Sequence, residues 1–338
     1  MKAMQLRRLA ELTGNGEPLE LVEVERPVPT EHELLLRVLT CGVCHTELDE
    51  IEGRLSPPRL PIIPGHQVVA EVVERGEQVR THPPGTRVGV GWIHHSDGSV
   101  LENLSAAFVA TGCDVNGGYA EFMTVPARYA VPIPETFNDC EAAPLLCAGA
   151  IGYRALRLAG IQDGQPLGLC GFGASAHIVL QLARHSYPNS PVLVFARSEK
   201  TQKFALNLGA TWAGCHTDRP PQPLQAIIDT TPAWSPVLQS LSNLVPGGRL
   251  VINAIRKETK DQSVLMQLSY QEHLWLEREI KSVANITRAD IAEFLPIAAA
   301  ANIRPAIEDY VLEDANAALR ALKFDSSAGA KVLRVSDR

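Results

Sequence analysis

The chain has 338 residues, 45% of them hydrophobic and 20% charged, with a formal net charge of -7. That acidity disfavours nucleic acid or an anionic membrane surface as a partner, since neither attracts a net negative protein. The length provides for two domains with separate cores, and no apolar run approaches the roughly 18 residues that span a bilayer. Residues 1–10 lack both an apolar signal core and a small-residue cleavage site, so they read as the first strand of a cytoplasmic protein. Further on, Leu34-Leu35-Leu36-Arg37-Val38-Leu39, Gln67-Val68-Val69-Ala70-Glu71-Val72-Val73 and Arg87-Val88-Gly89-Val90 read as strands. They are separated by proline and glycine clusters at Pro57-Pro58, over 61–65 and at Pro83-Pro84-Gly85. The pattern predicts a small, irregular, mostly β module.

From about residue 141 the rhythm changes. A helical pattern over 141–158 leads through Asp163-Gly164 into a short buried strand, Pro166-Leu167-Gly168-Leu169-Cys170-Gly171. Helices over 174–185, 200–208 and 236–244 then alternate with strands at Val192-Leu193-Val194-Phe195, Ala226-Ile227-Ile228-Asp229 and Arg249-Leu250-Val251-Ile252. Strands alternating with helices of this length imply parallel βαβ units, hence an α/β fold with a doubly wound sheet. The stretch 303–338 returns to strand, helix and strand and rejoins the first module. The expected domains are therefore residues 1–145 with 293–338, and an inserted dinucleotide-binding domain over 146–292.

Gly171-Phe172-Gly173-Ala174-Ser175-Ala176 is a G-x-G-x-x-A that follows a predicted strand and opens a helix. Gly171 and Gly173 allow a tight turn and close backbone approach, Ala174 and Ala176 begin the helix, and the helix N-terminus offers free N–H groups to a pyrophosphate. An NAD site usually carries a carboxylate after the second strand. Here Phe195 is followed by Ala196-Arg197-Ser198-Glu199-Lys200. Arg197, Ser198 and Lys200 suit a 2′-phosphate, which favours NADP over NAD. The competing reading is an exposed arginine with Ser198 capping the next helix.

Seven cysteines is an odd number for a disulfide framework. Scattered cysteines in a cytosolic chain serve instead as ligands, catalytic groups or small core residues. Cys44 lies in Cys41-Gly42-Val43-Cys44-His45-Thr46, His66 in Pro64-Gly65-His66-Gln67, and Cys147 in Leu145-Leu146-Cys147-Ala148-Gly149. Together they look like the ligands of one zinc ion, and three protein ligands leave a fourth position open, as catalytic sites do. The spacing is not that of a zinc finger. Cys41 and Cys44 also form a C-x-x-C, so a redox pair is the alternative, though without the thioredoxin-type strand and helix that such a pair normally joins.

These motifs, in this order, with Asp114-Val115-Asn116-Gly117-Gly118-Tyr119-Ala120-Glu121 and Gly329-Ala330-Lys331-Val332-Leu333, closely resemble the zinc-dependent alcohol dehydrogenases of the medium-chain dehydrogenase/reductase family. The resemblance implies a GroES-like catalytic domain with a Rossmann domain inserted in it. It makes Cys44, His66 and Cys147 the ligands of one catalytic zinc per subunit and Cys41 a buried small residue. It further implies that Thr46 takes the proton of the bound alcohol, that Glu47 orients His66, and that His45 and Lys331 contact the cofactor pyrophosphate. Trp92 falls at a bulky substrate-pocket position, which with Thr46 and Ile93 suggests a narrow apolar pocket for small primary alcohols or aldehydes.

Three departures stand out. Asp49 occupies the place where the family's proton relay ends in histidine, and Gln67 replaces a glutamate that can approach zinc. The stretch His94-His95-Ser96-Asp97-Gly98-Ser99-Val100-Leu101-Glu102-Asn103 has none of the four cysteines that hold a structural zinc in many relatives, and reads as a polar loop. The expected function is reversible alcohol oxidation with NAD(P) by a cytoplasmic homo-oligomer, a dimer or tetramer. The alternatives are a polyol dehydrogenase or aldehyde reductase of the same family, or a nucleotide-binding relative without catalysis.

Overall fold

The strand Glu33–Val43 is buried along almost its whole length, as a strand covered on both faces must be. Its sequence, ELLLRVLTCGV, accordingly lacks the apolar–polar alternation of a half-exposed strand. The computed structural model describes residues 1–325 and 329–336. The predicted final module and its expected domain range, which extend to 338, run across residues 326–328 and 337–338, which lie outside the described residues. The chain divides into two compact units: Met1–Ala150 with Asn285–Ala299 and Arg304–Arg338, and Ile151–Ala284 with Ala300–Ile303. These boundaries differ from the expected 145/146 and 292/293, and they put Cys147 in the first unit.

In the first unit, Glu33–Val43 pairs antiparallel with Val68–Arg75, with Ala330–Arg334 and, at its start, with Phe122–Pro126. Arg87–Val90 and Val131–Pro132 extend one side, and Ile307–Val311 lies parallel to Ala330–Arg334 on the other. The predicted first strand is Lys2–Leu6, paired with Leu19–Glu23 in a separate two-stranded sheet. Leu34, Leu36, Val38, Val68, Val88 and Val332 are fully buried at the centre of the larger sheet. Each such side chain contributes about 1.5–3 kcal/mol through removal from water.

The predicted helix over 141–158 is not regular. Asp139–Pro144 and Ala150–Ala159 are α-helical, but Leu145–Gly149 between them is a π-turn, in which the Ala150 N–H reaches back to the Leu145 carbonyl. Pro144 lacks the N–H that would continue the ladder to Cys140, and inserted turns of this kind collect at functional sites. Cys147 sits in the middle of it.

The second unit is a six-stranded, wholly parallel sheet. Its strands, numbered in chain order, run 3-2-1-4-5-6: Trp212–Gly214, Val192–Phe195, Leu167–Cys170, Leu224–Asp229, Leu244–Ile252 and Glu279–Ser282. That is the doubly wound order of dinucleotide-binding folds, with its switch point between strands one and four. Leu167–Cys170 and Val192–Phe195 are buried at every residue. The two outer strands escaped the sequence reading because Trp212–Gly214 is only three residues long and Glu279–Ser282 is exposed throughout. No helix among the described residues is long and apolar enough to cross a membrane.

The cysteine-free loop of the first unit is tied by one buried carboxylate. Glu102 accepts hydrogen bonds from Ser96 Oγ at 2.7 Å, Tyr129 OH at 3.4 Å and the Arg288 backbone N–H at 2.8 Å. Ser96 Oγ and Tyr129 OH also bond each other at 2.8 Å, so Glu102→Ala would leave the Arg288 N–H and one of these hydroxyls without an acceptor, at about 1–3 kcal/mol for such a buried network. Chemical denaturation should show a loss of that size; a variant as stable as the unmutated protein would contradict this role.

Candidate metal centre

The local fold brings the candidate ligands together from three separate elements. Cys44 stands at the turn between Glu33–Val43 and the short helix His45–Ile51. The C-x-x-C thus does join a strand to a helix, contrary to expectation, but Cys41 is wholly buried within the strand. His66 precedes Val68–Arg75 in an extended segment shaped by Gly65. That glycine has φ +101°, and a Cβ there would stand 2.4 Å from the Tyr119 ring and 2.9 Å from Cys41 Sγ. Only glycine fits this left-handed, crowded position, and the Gly118 N–H donates to its carbonyl at 2.9 Å. The Pro-Gly-His and Asn-Gly-Gly-Tyr motifs are therefore two sides of one packing contact.

The donor atoms of Cys44, His66 and Cys147 lie within 4.8 Å of one another, and no other such group of three occurs among the described residues. His66 Nε2 is 3.2 Å from Cys147 Sγ. Its other nitrogen, Nδ1, is 2.6 Å from Glu47 Oε1, with both side chains at most 1% exposed. Glu47 uses its second oxygen to accept the Cys44 backbone N–H at 2.7 Å. A histidine whose Nδ1–H is held by a carboxylate presents the Nε2 lone pair outward, the arrangement that metal-ligating histidines need.

The electrostatics suit a cation. Cys147 donates to Cys44 and, against the effect of burial, holds its thiol well below the ordinary range. Cys147, as the donor and by burial, is held well above it. Burial opposes a charged His66, but Glu47 and Cys44 outweigh it and raise the imidazole. Without a metal the cluster retains protons that a divalent ion would displace. Two sulfurs and one imidazole nitrogen fit zinc in the two-Cys, one-His set of catalytic sites.

The surrounding residues take the following places. Thr46 is 7% exposed, and its Oγ1 is 3.6 Å from Cys44 Sγ. Trp92 packs edge-on against His66, with ring centroids 4.9 Å apart, and Ile93 is buried beside it in sequence. Gln67 is buried and accepts the Gly42 N–H on its backbone carbonyl at 2.9 Å. His45 is exposed. Asp49 is buried and binds Arg54 Nε at 2.6 Å, a partner the sequence reading missed. Lys331 is 4% exposed and paired with Glu308, its register neighbour on the parallel strand. That pairing depends on strand register and has no signature in the linear sequence. Glu50, also unforeseen, is a buried carboxyl with neither oxygen hydrogen-bonded; burial first, and then Glu47, raises its pKa well above the usual range.

In the second unit, Gly171 has φ +80° and closes the turn after Leu167–Cys170, and Gly173 caps the helix Ala174–Ser186. Ala174 and Ala176 lie in the first turn of that helix, with Ala176 buried. Ser198 caps the helix Glu199–Asn207, accepting the Thr201 N–H at 3.2 Å. Arg197 and Lys200 are exposed beside it.

The profile of the alcohol dehydrogenase GroES-like domain matches residues 30–135. The chain is 42% identical to the probable alcohol dehydrogenase AdhA of Mycobacterium tuberculosis over 99% of its own length and 97% of that protein's. It is 32% identical to an alcohol dehydrogenase of Geobacillus stearothermophilus, covering 94% and 96% of the two chains. Among solved structures, the fold matches a Helicobacter pylori CAD complexed with NADP(H) at a TM-score of 0.83, with 22% identity over 99% of each chain. Full-length similarity to the first two proteins, a Rossmann-type sheet and a GroES-like unit with three converging zinc-type donors make this chain a member of the medium-chain alcohol dehydrogenase family.

Proposed function

We propose that this protein is a zinc-dependent alcohol dehydrogenase acting reversibly on small primary alcohols and aldehydes, with NADP preferred over NAD. The observation that carries the reading is the Cys44–His66–Cys147 donor set, with two half-buried cysteines around a buried histidine, Glu47 behind the histidine and Thr46 beside the first cysteine. When bound, zinc supplies the Lewis acidity that eases loss of an alcohol proton, and the nicotinamide supplies the hydride acceptor.

The chain's own residues do the rest. Cys44 and Cys147 would hold the metal as thiolates, and His66 would hold it through Nε2. Glu47 fixes the imidazole tautomer through Nδ1. The Thr46 hydroxyl would accept the alcohol proton while donating its own onward, the relay a hydroxyl at this place is suited to. Because Asp49 is engaged by Arg54, water rather than Asp49 would be the next acceptor. Trp92 and Ile93 supply apolar wall, which favours short aliphatic or aromatic substrates over polyols. Gln67, a neutral amide, leaves the ligand set at three residues. His45, exposed at the helix start, is free to meet a phosphate, whereas Lys331 would first have to leave Glu308.

The NADP preference rests on the chain after Val192–Phe195. No carboxylate follows Phe195 before Glu199, and Arg197 and Lys200 are exposed cations without a partner among the described residues. Gly171, Gly173 and the start of the helix at Ala174 would receive the pyrophosphate. The chain works as a homo-oligomer through the exposed edge strand Glu279–Ser282 and the exposed Tyr270, Trp275 and Leu276 near it in sequence. An unpaired edge of this kind invites pairing with a second copy. Light scattering of the purified protein should give a dimer or tetramer mass, and a monomer mass at micromolar concentration would refute this. All seven cysteines are free, which favours a reducing, cytoplasmic setting.

Purified protein should contain one zinc per chain and reduce NADP in the presence of primary alcohols. Protein without zinc and without alcohol-dependent reduction of either dinucleotide would instead indicate a binding protein. A parallel screen of polyols and activated aldehydes separates the related activities. Cys147→Ala should lose turnover and zinc while keeping dinucleotide affinity, and persistent activity would remove Cys147 from the ligand set. Glu47→Gln should weaken zinc retention or turnover by about 10–100-fold.

Ligation requires thiolates and a neutral imidazole, and His66 in the metal-free site holds its proton above the usual imidazole range. Zinc affinity should therefore increase as pH rises; an affinity independent of pH would contradict that. For the dinucleotide, initial rates should be higher with NADP, and Arg197→Asp should reverse the order. A strong preference for NAD in the unmutated protein would overturn the reading of Ala196 and Arg197.

A further inference from the structure

A buried ion pair lies at the carboxyl end of the second unit's sheet, where the sequence offered no motif. Lys257 and Asp229 have side-chain exposures of 8% and 0%. The Lys257 ammonium donates to Asp229 Oδ2, to the Thr231 carbonyl at 2.8 Å and to the Ala233 carbonyl at 3.0 Å. An ammonium has three protons, so all are committed and none remains for a ligand. Asp229 is equally occupied: its other oxygen accepts the Thr231 backbone N–H at 2.9 Å and the Thr231 hydroxyl at 2.7 Å.

The location gives the pair its meaning. Asp229 ends the fourth strand of the sheet, and its register partner Cys170 ends the first. The topological switch point, where dinucleotides cross such sheets, lies between these two strands. The segment held by Lys257 is pressed onto the phosphate turn. Thr230 donates to the Cys170 carbonyl from both its backbone N–H, at 2.8 Å, and its hydroxyl, at 3.0 Å. A Cβ on Gly171 would stand 2.6 Å from Thr230 Oγ1 and 3.1 Å from Thr231 Cγ2. Residues after the fifth strand join in: the Asn253 N–H donates to the Asp229 carbonyl at 2.7 Å, and Asn253 Nδ2 meets Ser175 Oγ in the first helical turn at 3.3 Å.

A buried pair of this kind is costly to desolvate, and apolar residues of similar volume are often as stabilising. We propose that Lys257 is a positioning residue for the dinucleotide. Through Asp229 it locks the segment over 230–233 against Gly171, so that the turn keeps the shape the pyrophosphate requires. This rests on the dinucleotide reading of the turn given above.

The test compares Lys257→Met with the double variant Lys257→Met/Asp229→Asn, which removes the charge but keeps an acceptor for Thr231, measuring thermal midpoint, zinc content and the dissociation constant for NADPH by fluorescence. The single variant should lose stability and weaken NADPH binding by about tenfold or more, while zinc content stays unchanged. The double variant should regain most of the stability, with the charge gone from the interior, yet keep the weakened binding. If binding and stability return together, the pair is only structural and the proposal fails. Should the double variant not fold, Thr230→Val serves in its place: it keeps the shape but removes the hydroxyl on the turn. A several-fold weaker NADPH affinity at unchanged midpoint supports the proposal, and an unchanged affinity overturns it. Unmutated protein that binds neither NADPH nor NADH would refute the dinucleotide reading itself, a result distinct from any of these.

Discussion

One carboxylate joins the two segments that carry the first two metal donors. Glu47 stands 2.6 Å from Nδ1 of His66 with one oxygen, as an ion pair, and accepts the backbone N–H of Cys44 on the other at 2.7 Å. It is wholly buried, and burial raises its pKa against the pull of His66. Such a group remains charged only because its donors are in place. The start of the helix His45–Ile51, the tautomer of His66 and the direction of the Cys44 thiol are thus fixed by one interaction. Cys147 arrives separately, on the π-turn that Pro144 introduces, and completes the donor set.

The parts of this arrangement that sequence could disclose were those written as local chemistry. The glycines of Pro64-Gly65-His66 and Asn116-Gly117-Gly118-Tyr119 mark places where backbone must pass close to a side chain, and such places tolerate few other residues. The run of apolar triplets and quartets between helices announced the parallel sheet, because strands buried on both faces leave that trace. The strand Glu279–Ser282 left none, since an exposed edge carries no apolar pattern. The π-turn at Leu145–Gly149 was likewise hidden inside a pattern that reads as ordinary helix.

What stayed illegible were pairings made by tertiary geometry. Arg54 binds Asp49 from beyond the end of the same helix, and Glu308 reaches Lys331 only through strand register. The Lys257–Asp229 pair joins loops after two different strands. In each case the sequence named one member of a charged pair and left its partner unnamed. The first of these pairings ties Asp49 to Arg54, and the loop that has no cysteine over 94–103 is likewise held by a buried carboxylate, Glu102.

The central claim is a zinc ion on two sulfurs and one imidazole nitrogen with one exchangeable position. X-ray absorption at the zinc edge of the purified protein tests it most directly. The account predicts two sulfur scatterers at about 2.3 Å and light scatterers near 2.0–2.1 Å, with one light scatterer lost in Glu47-intact His66→Ala protein. A four-sulfur shell, or purified protein that retains no zinc, would contradict it.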